Sequence, residues 1–372
     1  MLFRSTPEQY SWNLGIQRQI SPSFFISATY LGNHLIHGPN AVELNPGQYI
    51  PGNCVAGQYG LTAPGPCSNA QNVDYRRKLY LSNPGNTENL ISSLTQTDDG
   101  NTQRYNGLLL NATWRKGGLN LSGNYTWSHC TGPAMMASTV NIGNGNPHEA
   151  GQNAGPTDRR FDYGNCASTS TQDVRHLANV TAVYATPKIS GGNEFVKQLG
   201  SGWTLSTIYT IRSGSPLAIA TGQDQALNGI YTSAGQLPSP QRPSQVLPNV
   251  AATDRGESCS PAPCIDYLNR AAFAMPALGT YGNMGFGSVY GPGFWEWDQT
   301  VSRQFRITEG QNLELRAEAF NVTNSVRLAN PGLIFNSPAT FGKITTSNST
   351  TGSVSPTGSG GRIIQFALKY IF

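Results

Sequence analysis

At the carboxyl end of the chain, large apolar side chains occupy every second position. Because successive side chains of a β-strand point to opposite faces, this period of two predicts a strand with one apolar face. The other face carries small or polar residues such as Gln365 and Lys369. Such a strand, ending on an aromatic residue, is typical of the strand that closes an outer-membrane β-barrel. Its apolar face is formed by Phe366, Leu368, Tyr370 and Phe372.

The same alternation recurs upstream and predicts about nine strands, many of them close to the 9 to 11 residues that a tilted membrane strand needs. The clearest is 119–128, where Leu, Tyr and Trp alternate with Asn, Ser and Thr. The pattern therefore predicts an all-β fold. The predicted strands cover residues 12–17, 24–30, 108–115, 119–128, 178–184, 203–211, 295–307, 313–321 and 364–372.

The connections between the predicted strands alternate between short and long. Residues 21–23, 117–118 and 308–311 form short turns, and 186–201 forms a turn of medium length. The other connections are long, on the order of 35 to 80 residues, and are rich in Gly, Pro, Asn and Ser. This alternation is typical of short periplasmic turns and long extracellular loops. We therefore predict a partial antiparallel transmembrane β-barrel, about nine strands of a larger barrel.

The eighth predicted strand has the sharpest contrast between its two faces. Leu313 and Leu315 share one face with two alanines, and charged residues occupy the other. In a barrel the charged face would line a polar lumen, whereas in a soluble sandwich it would be solvated. With polar positions of the third and ninth strands, this contrast predicts the lumen-facing residues Arg115, Glu314, Arg316, Glu318 and Lys369.

All six tryptophans lie near the ends of predicted strands. Two interfacial aromatic belts would place them there, because the indole ring favours the level of the lipid headgroups. The alternative is that large residues cap the ends of a soluble core. Trp12, Trp127, Trp295 and Trp297 lie at the long-loop ends, and Trp114 and Trp203 lie at the short-turn ends.

The composition narrows the class of protein further. Charged residues make up 12% of the chain, compared with about 25% in an average soluble domain. The net charge is only +4, so we expect no nucleic-acid partner. No stretch approaches the roughly 18 apolar residues of a transmembrane helix. The segment 1–8 has neither the basic region nor the apolar core of a signal peptide. We expect residues 1–372 to be the carboxyl-terminal part of an outer-membrane barrel, without its signal peptide.

The six cysteines fall into three pairs of chain neighbours, each within or at the edge of one long loop. Such local pairs are typical of disulfides formed in an oxidising compartment. A metal site would need tighter CxxC or CxxH spacings, which the sequence lacks. We therefore predict three loop disulfides, formed by Cys54 with Cys67, Cys130 with Cys166, and Cys259 with Cys264.

No motif in the chain predicts covalent chemistry. The five histidines form no HExxH, and residues 213–215 do not form a GxSxG elbow between a strand and a helix. Residues 285–287 lack the third glycine and the helix of a dinucleotide-binding fingerprint. We predict no catalytic residues, no metal site and no cofactor, and therefore no enzyme.

Six stretches of sequence carry a family resemblance. They are SWNLGIQRQI at 11–20, YNGLLL at 105–110, NYTWS at 124–128, GW at 202–203 before SGSP at 213–216, LRAEAFNVTN at 315–324 and IQFALKYIF at 364–372. Together they resemble the carboxyl-terminal barrel of TonB-dependent outer-membrane receptors. The closest type is the Oar-like branch, whose members carry an amino-terminal carboxypeptidase-regulatory-like domain.

The resemblance implies a barrel of about 22 strands with an internal plug, located in the outer membrane of a Gram-negative cell. Such a barrel imports scarce nutrients with energy from an inner-membrane TonB complex. We expect no plug, TonB-contacting box or regulatory-like domain in this chain. The implied partners are outer-membrane lipid, the barrel-assembly machinery through the carboxyl-terminal strand, and the TonB complex only through a plug that is not present here. We expect the chain alone to be inactive, because an open sheet leaves unpaired backbone edges that lipid cannot satisfy.

Two other functions stay open on the sequence. A secreted or surface all-β adhesin with glycan-binding loops would keep the disulfides and bury the apolar faces against a second sheet. A β-rich glycoside hydrolase would need two carboxylates that face one cleft, which spacing alone does not establish. The transported substrate is not encoded in any motif of the chain.

Overall fold

The described part of the chain forms one large antiparallel sheet, with loops that pack against one another at one end of it. In the computed structural model, the described residues are 5–92, 94–133, 163–166, 173–187, 191, 193, 200–229, 241–253, 264–308, 310–345 and 361–372.

Nine long strands build the sheet in these residues, and we label them β1 to β9. Their positions agree with all nine strands predicted from the alternation of apolar and polar residues. The strands are β1 Glu8–Ser21, β2 Phe24–Glu43, β3 Thr95–Lys116, β4 Leu119–Pro133, β5 His176–Ala185, β6 Trp203–Arg212, β7 Phe294–Thr308, β8 Gln311–Phe320 and β9 Ile363–Ile371.

Each long strand pairs with its neighbours in the chain, and all of these pairs are antiparallel. The order in the sheet is therefore simply β1 to β9, with a short tenth strand, Tyr163–Asn165, added beside β4. The sheet is open: within the described residues, no strand pairs with the outer edge of β1 or of β9. The observed architecture is all-β, as the sequence predicts.

The strands β2 and β3 are longer than a membrane-spanning strand needs to be. β2 has 20 residues and β3 has 22 residues, whereas the alternation predicts strands only over 24–30 and 108–115. The pairing of β2 with β3 continues past His34 and is interrupted by irregular register on either side of Gly38. His37 there has a φ of 55°, a left-handed conformation that costs energy in a side-chain-bearing residue. The irregularity breaks the alternation of apolar residues, which explains why the extension was not predicted.

Short turns join three pairs of strands. Residues 22–23, 117–118 and 309–310 connect β1 to β2, β3 to β4, and β7 to β8. Gly117 and Gly118 have φ values of 58° and 84°, and a two-residue turn with positive φ at both positions matches the twist of the flanking strands. Only glycine adopts this conformation at little cost.

The strand register sorts the side chains of the sheet into two faces. On one face, Leu14 lies opposite Tyr30, and Tyr30 lies opposite Leu108. We call this the apolar face, and the other one the polar face. Many side chains of the apolar face are exposed, including Leu14 at 69% and Phe366 at 82%. Exposed apolar surface on this scale needs an apolar environment, which lipid supplies.

All six tryptophans belong to the apolar face. The register pairs each of them with a position of that face on a neighbouring strand. Their partners are Gly32 for Trp12, Phe24 for Trp114, Leu108 for Trp127, Arg303 for Trp203, Ile211 for Trp295 and Tyr209 for Trp297. Trp127 lies further inside its strand than the sequence predicts, because β4 continues to Pro133.

The long connections are labelled L1 (44–94), L2 (134–175), L3 (213–293) and L4 (321–362), and all four follow the same end of the sheet. They contain short elements of regular structure, which the sequence analysis does not predict. This structure comprises the short strand pairs Asn53–Cys54 with Gly65–Pro66, Ser244–Gln245 with Phe273–Ala274 and Ile265–Asp266 with Lys343–Ile344, the α-helix Lys78–Ser82, and the 3-10 turns Gln58–Gly60, Asp74–Arg76, Thr87–Asn89 and Arg270–Ala272.

The buried hydrophobic core lies in the loops and not in the sheet. Its residues come from L3 and L4, and three of its phenylalanine rings meet edge to face at centroid distances of 5.1 and 5.4 Å. Edge-to-face contacts suit the charge distribution of aromatic rings. The core consists of Leu217, Ile219, Leu268, Ala272, Phe273, Met284, Val289, Phe335 and Phe341.

Candidate functional site

Four of the five residues predicted to face a lumen lie together on the polar face of β8 and β9. Arg316 Nη2 lies 2.7 Å from Glu314 Oε1, and Arg316 Nη1 lies 3.5 Å from Glu318 Oε1. Gln365 donates a hydrogen bond to Glu318, and Lys369 is the register partner of Glu314. A cation between two carboxylates keeps these charges close together on a surface that polar molecules can contact.

The fifth predicted residue, Arg115, lies apart from this cluster. It shares the polar face through its register partner Asn120. However, β3 is separated from β8 by the four strands β4 to β7. The sequence alone predicted the face of Arg115 but not this separation.

A row of uncharged polar side chains crosses the same face and was not singled out from the sequence. Asn111 Nδ2 donates to Ser27 Oγ at 3.2 Å, and Asn179 Nδ2 donates to Asn124 Oδ1 at 3.1 Å. Thr210 Oγ1 donates to Asn179 Oδ1 at 2.9 Å. Because Asn111 is the register partner of Asn124, the row is continuous over five strands. Much of the polar face is thus hydrophilic without net charge.

The four long loops form one interlocked unit, which we call the loop cap. L3 contacts each of the other three loops. Gly47 N of L1 donates to Asn228 O at 2.8 Å, and Asn165 Nδ2 of L2 donates to Gly287 O at 2.8 Å. Arg270 Nη1 donates to Phe335 O of L4 at 2.8 Å. The loop cap is therefore held in one arrangement by contacts between loops that are distant in sequence.

A fully buried arginine joins L1 to L3. The guanidinium of Arg76 donates to Asn72 Oδ1 at 2.8 Å, to Asn69 O at 2.9 Å and to Leu227 O at 3.1 Å. It also donates to the carbonyl of Gln48. Burial lowers the pKa of Arg76, and the nearby charge of Asp224 opposes that shift. A buried cation with this many acceptors holds the loops in place.

A second polar network joins L2 to L3. The phenol of Tyr290 donates to Asp173 Oδ2 at 3.1 Å and accepts from Arg175 Nη2 at 2.8 Å. Asp173 Oδ1 accepts from the backbone N–H of Cys130 at 2.8 Å. Burial and the neighbouring carboxylate of Asp173 raise the pKa of Tyr290, so the phenol stays protonated and able to donate.

Disulfides reinforce two of the loops. Cys54 is bonded to Cys67 within L1, and Cys130 of β4 is bonded to Cys166 of L2. Cys264 is disulfide-bonded, while Cys259 lies outside the described residues. The pairing of Cys259 with Cys264 therefore stays a prediction.

The carboxyl-terminal strand has the exposed apolar face that the sequence predicts. Phe366 is 82% exposed, Leu368 65%, Tyr370 48% and Phe372 93%. The register places Leu368 opposite Leu315 and Phe366 opposite Ala317 of β8. The role of this strand in closing a barrel stays a prediction, since its other edge is without a strand partner in the described residues.

Two other kinds of feature are absent from the described residues. No helix in that part of the chain is both long and apolar enough to cross a membrane. No group of three or more His, Cys, Asp or Glu side chains there has the arrangement of a metal site.

Solved structures match this chain at low sequence identity. The outer membrane transporter YddB from Escherichia coli is 9% identical with a TM-score of 0.40, and the match covers 99% of this chain and 33% of YddB. The pyoverdine outer membrane receptor FpvA from Pseudomonas aeruginosa is 10% identical with a TM-score of 0.38, covering 98% of this chain and 30% of FpvA. The ferric citrate transporter FecA is 10% identical with a TM-score of 0.37, covering 98% of this chain and 31% of FecA. The chain thus spans about a third of the length of these proteins.

No curated protein sequence matches the chain. A protein family does match: residues 3–365 fit the family described as an outer membrane beta barrel domain. This match covers nearly the whole chain and agrees with the antiparallel sheet and its exposed apolar face. The chain therefore belongs to the outer membrane beta barrel domain family and is a protein of the cell outer membrane.

Proposed function

We propose that the chain is the carboxyl-terminal barrel portion of a TonB-dependent outer-membrane transporter of the Oar-like branch, which imports a nutrient. The polar face lines the lumen, the short turns lie in the periplasm, and the loop cap lies outside the cell. The protein carries out no covalent chemistry. The observation that carries the proposal is the combination of a one-sided apolar sheet with a hydrophilic opposite face in register over all nine strands.

The open sheet supports the proposal that this chain is incomplete as a barrel. Unpaired N–H and C=O groups at the edges of β1 and β9 would be costly in lipid, because no water is present there to satisfy them. Further strands between these edges would close the lumen. The plug, and with it the contact to the inner-membrane TonB complex, would come from sequence outside this chain. The barrel-assembly machinery would recognise β9.

Growth on single nutrients tests the transport function. In the source bacterium, deletion of the gene should abolish growth on one or a few scarce nutrients, and deletion of tonB should abolish growth on the same ones. Replacing Arg316 by Glu in the intact gene should alter uptake of that nutrient, because it puts a third carboxylate where a cation now lies between Glu314 and Glu318. A nutrient defect that persists only in the gene deletion and is absent from the tonB deletion would contradict the TonB dependence.

A separate experiment tests incompleteness. The chain alone, exported behind a signal peptide, should give no heat-modifiable and protease-resistant band in outer-membrane fractions. The same assay on the gene with its upstream coding sequence serves as the control. A stable barrel band from residues 1–372 alone would contradict the proposal.

The loop cap supports a second candidate function, that of a surface adhesin that binds glycans. A preformed cap with its own core is a rigid surface for recognition, and binding without uptake would need nothing else. Whole cells that display the protein and bind a glycan panel, with no growth defect on any nutrient after gene deletion, would favour this function over transport.

A further inference from the structure

One arginine lies on the apolar face of the sheet, where a charge is costly. Arg303 of β7 is the register partner of Trp203 on β6 and of Leu315 on β8, so its side chain leaves the sheet on the same side as theirs. Only 6% of the residue is exposed. An ionised side chain among lipid-facing residues is rare and marks a functional site by default, with a partner to be identified.

Aromatic rings hold the guanidinium of Arg303. Its central carbon lies 4.3 Å from the ring centroid of Phe305 and 5.4 Å from that of Trp203. Such stacking attracts the cation to the ring faces and shields it from acyl chains. However, rings accept no conventional hydrogen bonds from the edge of the guanidinium. In the part of the chain that the structure describes, Nε and Nη1 of Arg303 are buried and have no hydrogen-bond partner.

The surroundings of Arg303 favour a negatively charged ligand. Two further cations lie on the apolar face near the same short-turn end of the sheet. They are Arg18 of β1, whose register partner is Ile26, and Lys116 of β3, whose register partner is Leu119. Both are exposed. Among the described residues, no Asp or Glu lies on the apolar face at this end. A belt of cations and tryptophans at one end of a lipid-facing surface matches the level of phosphate headgroups.

We propose that Arg303, clamped by Trp203 and Phe305, binds the phosphate group of an anionic membrane phospholipid. The inference rests on the apolar face of the sheet meeting lipid, and the proposed periplasmic position of the short turns assigns the site to the inner leaflet. A phosphate oxygen would accept a hydrogen bond from Nη2, the guanidinium nitrogen that is not fully buried, and its charge would match the guanidinium. Arg18 and Lys116 would attract further anionic headgroups around the barrel.

Native mass spectrometry tests this site on the protein expressed from the gene with its upstream coding sequence and purified from outer membranes in detergent. The probes are phosphatidylglycerol and phosphatidylcholine, which share a phosphate group but differ in net charge. We expect wild-type protein to retain phosphatidylglycerol preferentially. The Arg303→Gln variant should bind it about fivefold more weakly, the effect of one cation near an anionic surface. The matched control is Arg306→Gln, which removes a cation from the same strand on the polar face.

Each outcome decides for or against the site. A loss in Arg303→Gln with no loss in Arg306→Gln supports it, and equal behaviour of the two variants overturns it. Should Arg303→Gln fail to fold, the wild-type comparison remains decisive, because equal retention of the two lipids also overturns the proposal. The Arg303→Lys variant, which keeps the charge and loses the planar stack, should give an intermediate affinity. Lipid retention does not depend on uptake, so failure of this site and failure of the transport function are distinguishable.

Discussion

Arg327 of L4 forms a buried ion pair with Glu296 of β7. The guanidinium of Arg327 also lies over the ring of Phe294, 5.2 Å from its centroid. Two residues further along β7, Asp298 Oδ1 accepts a hydrogen bond from the backbone N–H of Asn321 at 2.9 Å. The start of L4 is therefore fastened to the polar face of the sheet by a buried ion pair and by a hydrogen bond to a carboxylate.

The Arg327→Met variant should lose about 3 to 5 kcal/mol of unfolding free energy, because it removes the guanidinium that forms an ion pair with the buried carboxylate of Glu296. The double variant Glu296→Gln with Arg327→Met should recover part of that loss. Denaturant unfolding in detergent, followed by tryptophan fluorescence, measures both. The coupling would be contradicted if the double variant lost as much unfolding free energy as the Glu296→Gln and Arg327→Met single variants lose in sum.

Gly32 should be intolerant of even one added methyl group. A Cβ at this position would lie 2.3 Å from Trp12 Cε2, because the indole covers the glycine on the apolar face. We expect Gly32→Ala to displace the ring and to cost about 1 to 3 kcal/mol. The matched control is Gly123→Ala on the same face, where the nearest atom, Val180 Cγ2, is 4.0 Å away. In a Trp12→Ala background the penalty at Gly32 should vanish; its persistence there would show that another contact is responsible.

The two disulfides should differ in their contribution to stability. Their sequence separations are 13 for Cys54–Cys67 and 36 for Cys130–Cys166. The longer loop loses more chain entropy when it is closed in the unfolded state, so the chain-entropy relation gives about 3 and about 4 kcal/mol respectively. Paired Cys→Ala variants, compared by denaturant midpoint, measure the two values. A larger loss for the Cys54–Cys67 pair would run against this ordering.

Alkaline pH should loosen the junction of L2 and L3. The pKa of Tyr290 is raised by burial and by Asp173 above the ordinary tyrosine value of 10.0. A raised pKa in the folded state means that the stabilisation is complete below the unfolded value and is lost as pH rises through the folded value. We expect the phenolate absorbance at about 295 nm to include one late-titrating tyrosine, absent in Tyr290→Phe. Identical titration curves for the two proteins would contradict this assignment.

Features of this protein that depend only on neighbours in the chain follow from its sequence. The faces of β4 and β8 were predictable because each depends only on the period of two between neighbouring residues. The turn at Gly117 and Gly118 was predictable because only glycine adopts positive φ cheaply at two successive positions. The extension of β2 past His37 was not predictable, since an irregular register shifts the alternation and hides the strand.

The sequence by itself determined the all-β class, the nine strands, the two faces and the alternation of short and long connections, because these are properties of neighbours along one chain. Only the tertiary structure decided which loops touch, that Arg76 of L1 donates a hydrogen bond to Leu227 of L3, and that four strands separate Arg115 from Arg316. It also decided that Arg303 lies between two aromatic rings. Those relationships join residues that are distant in sequence, and no local periodicity encodes which distant side chain will meet which.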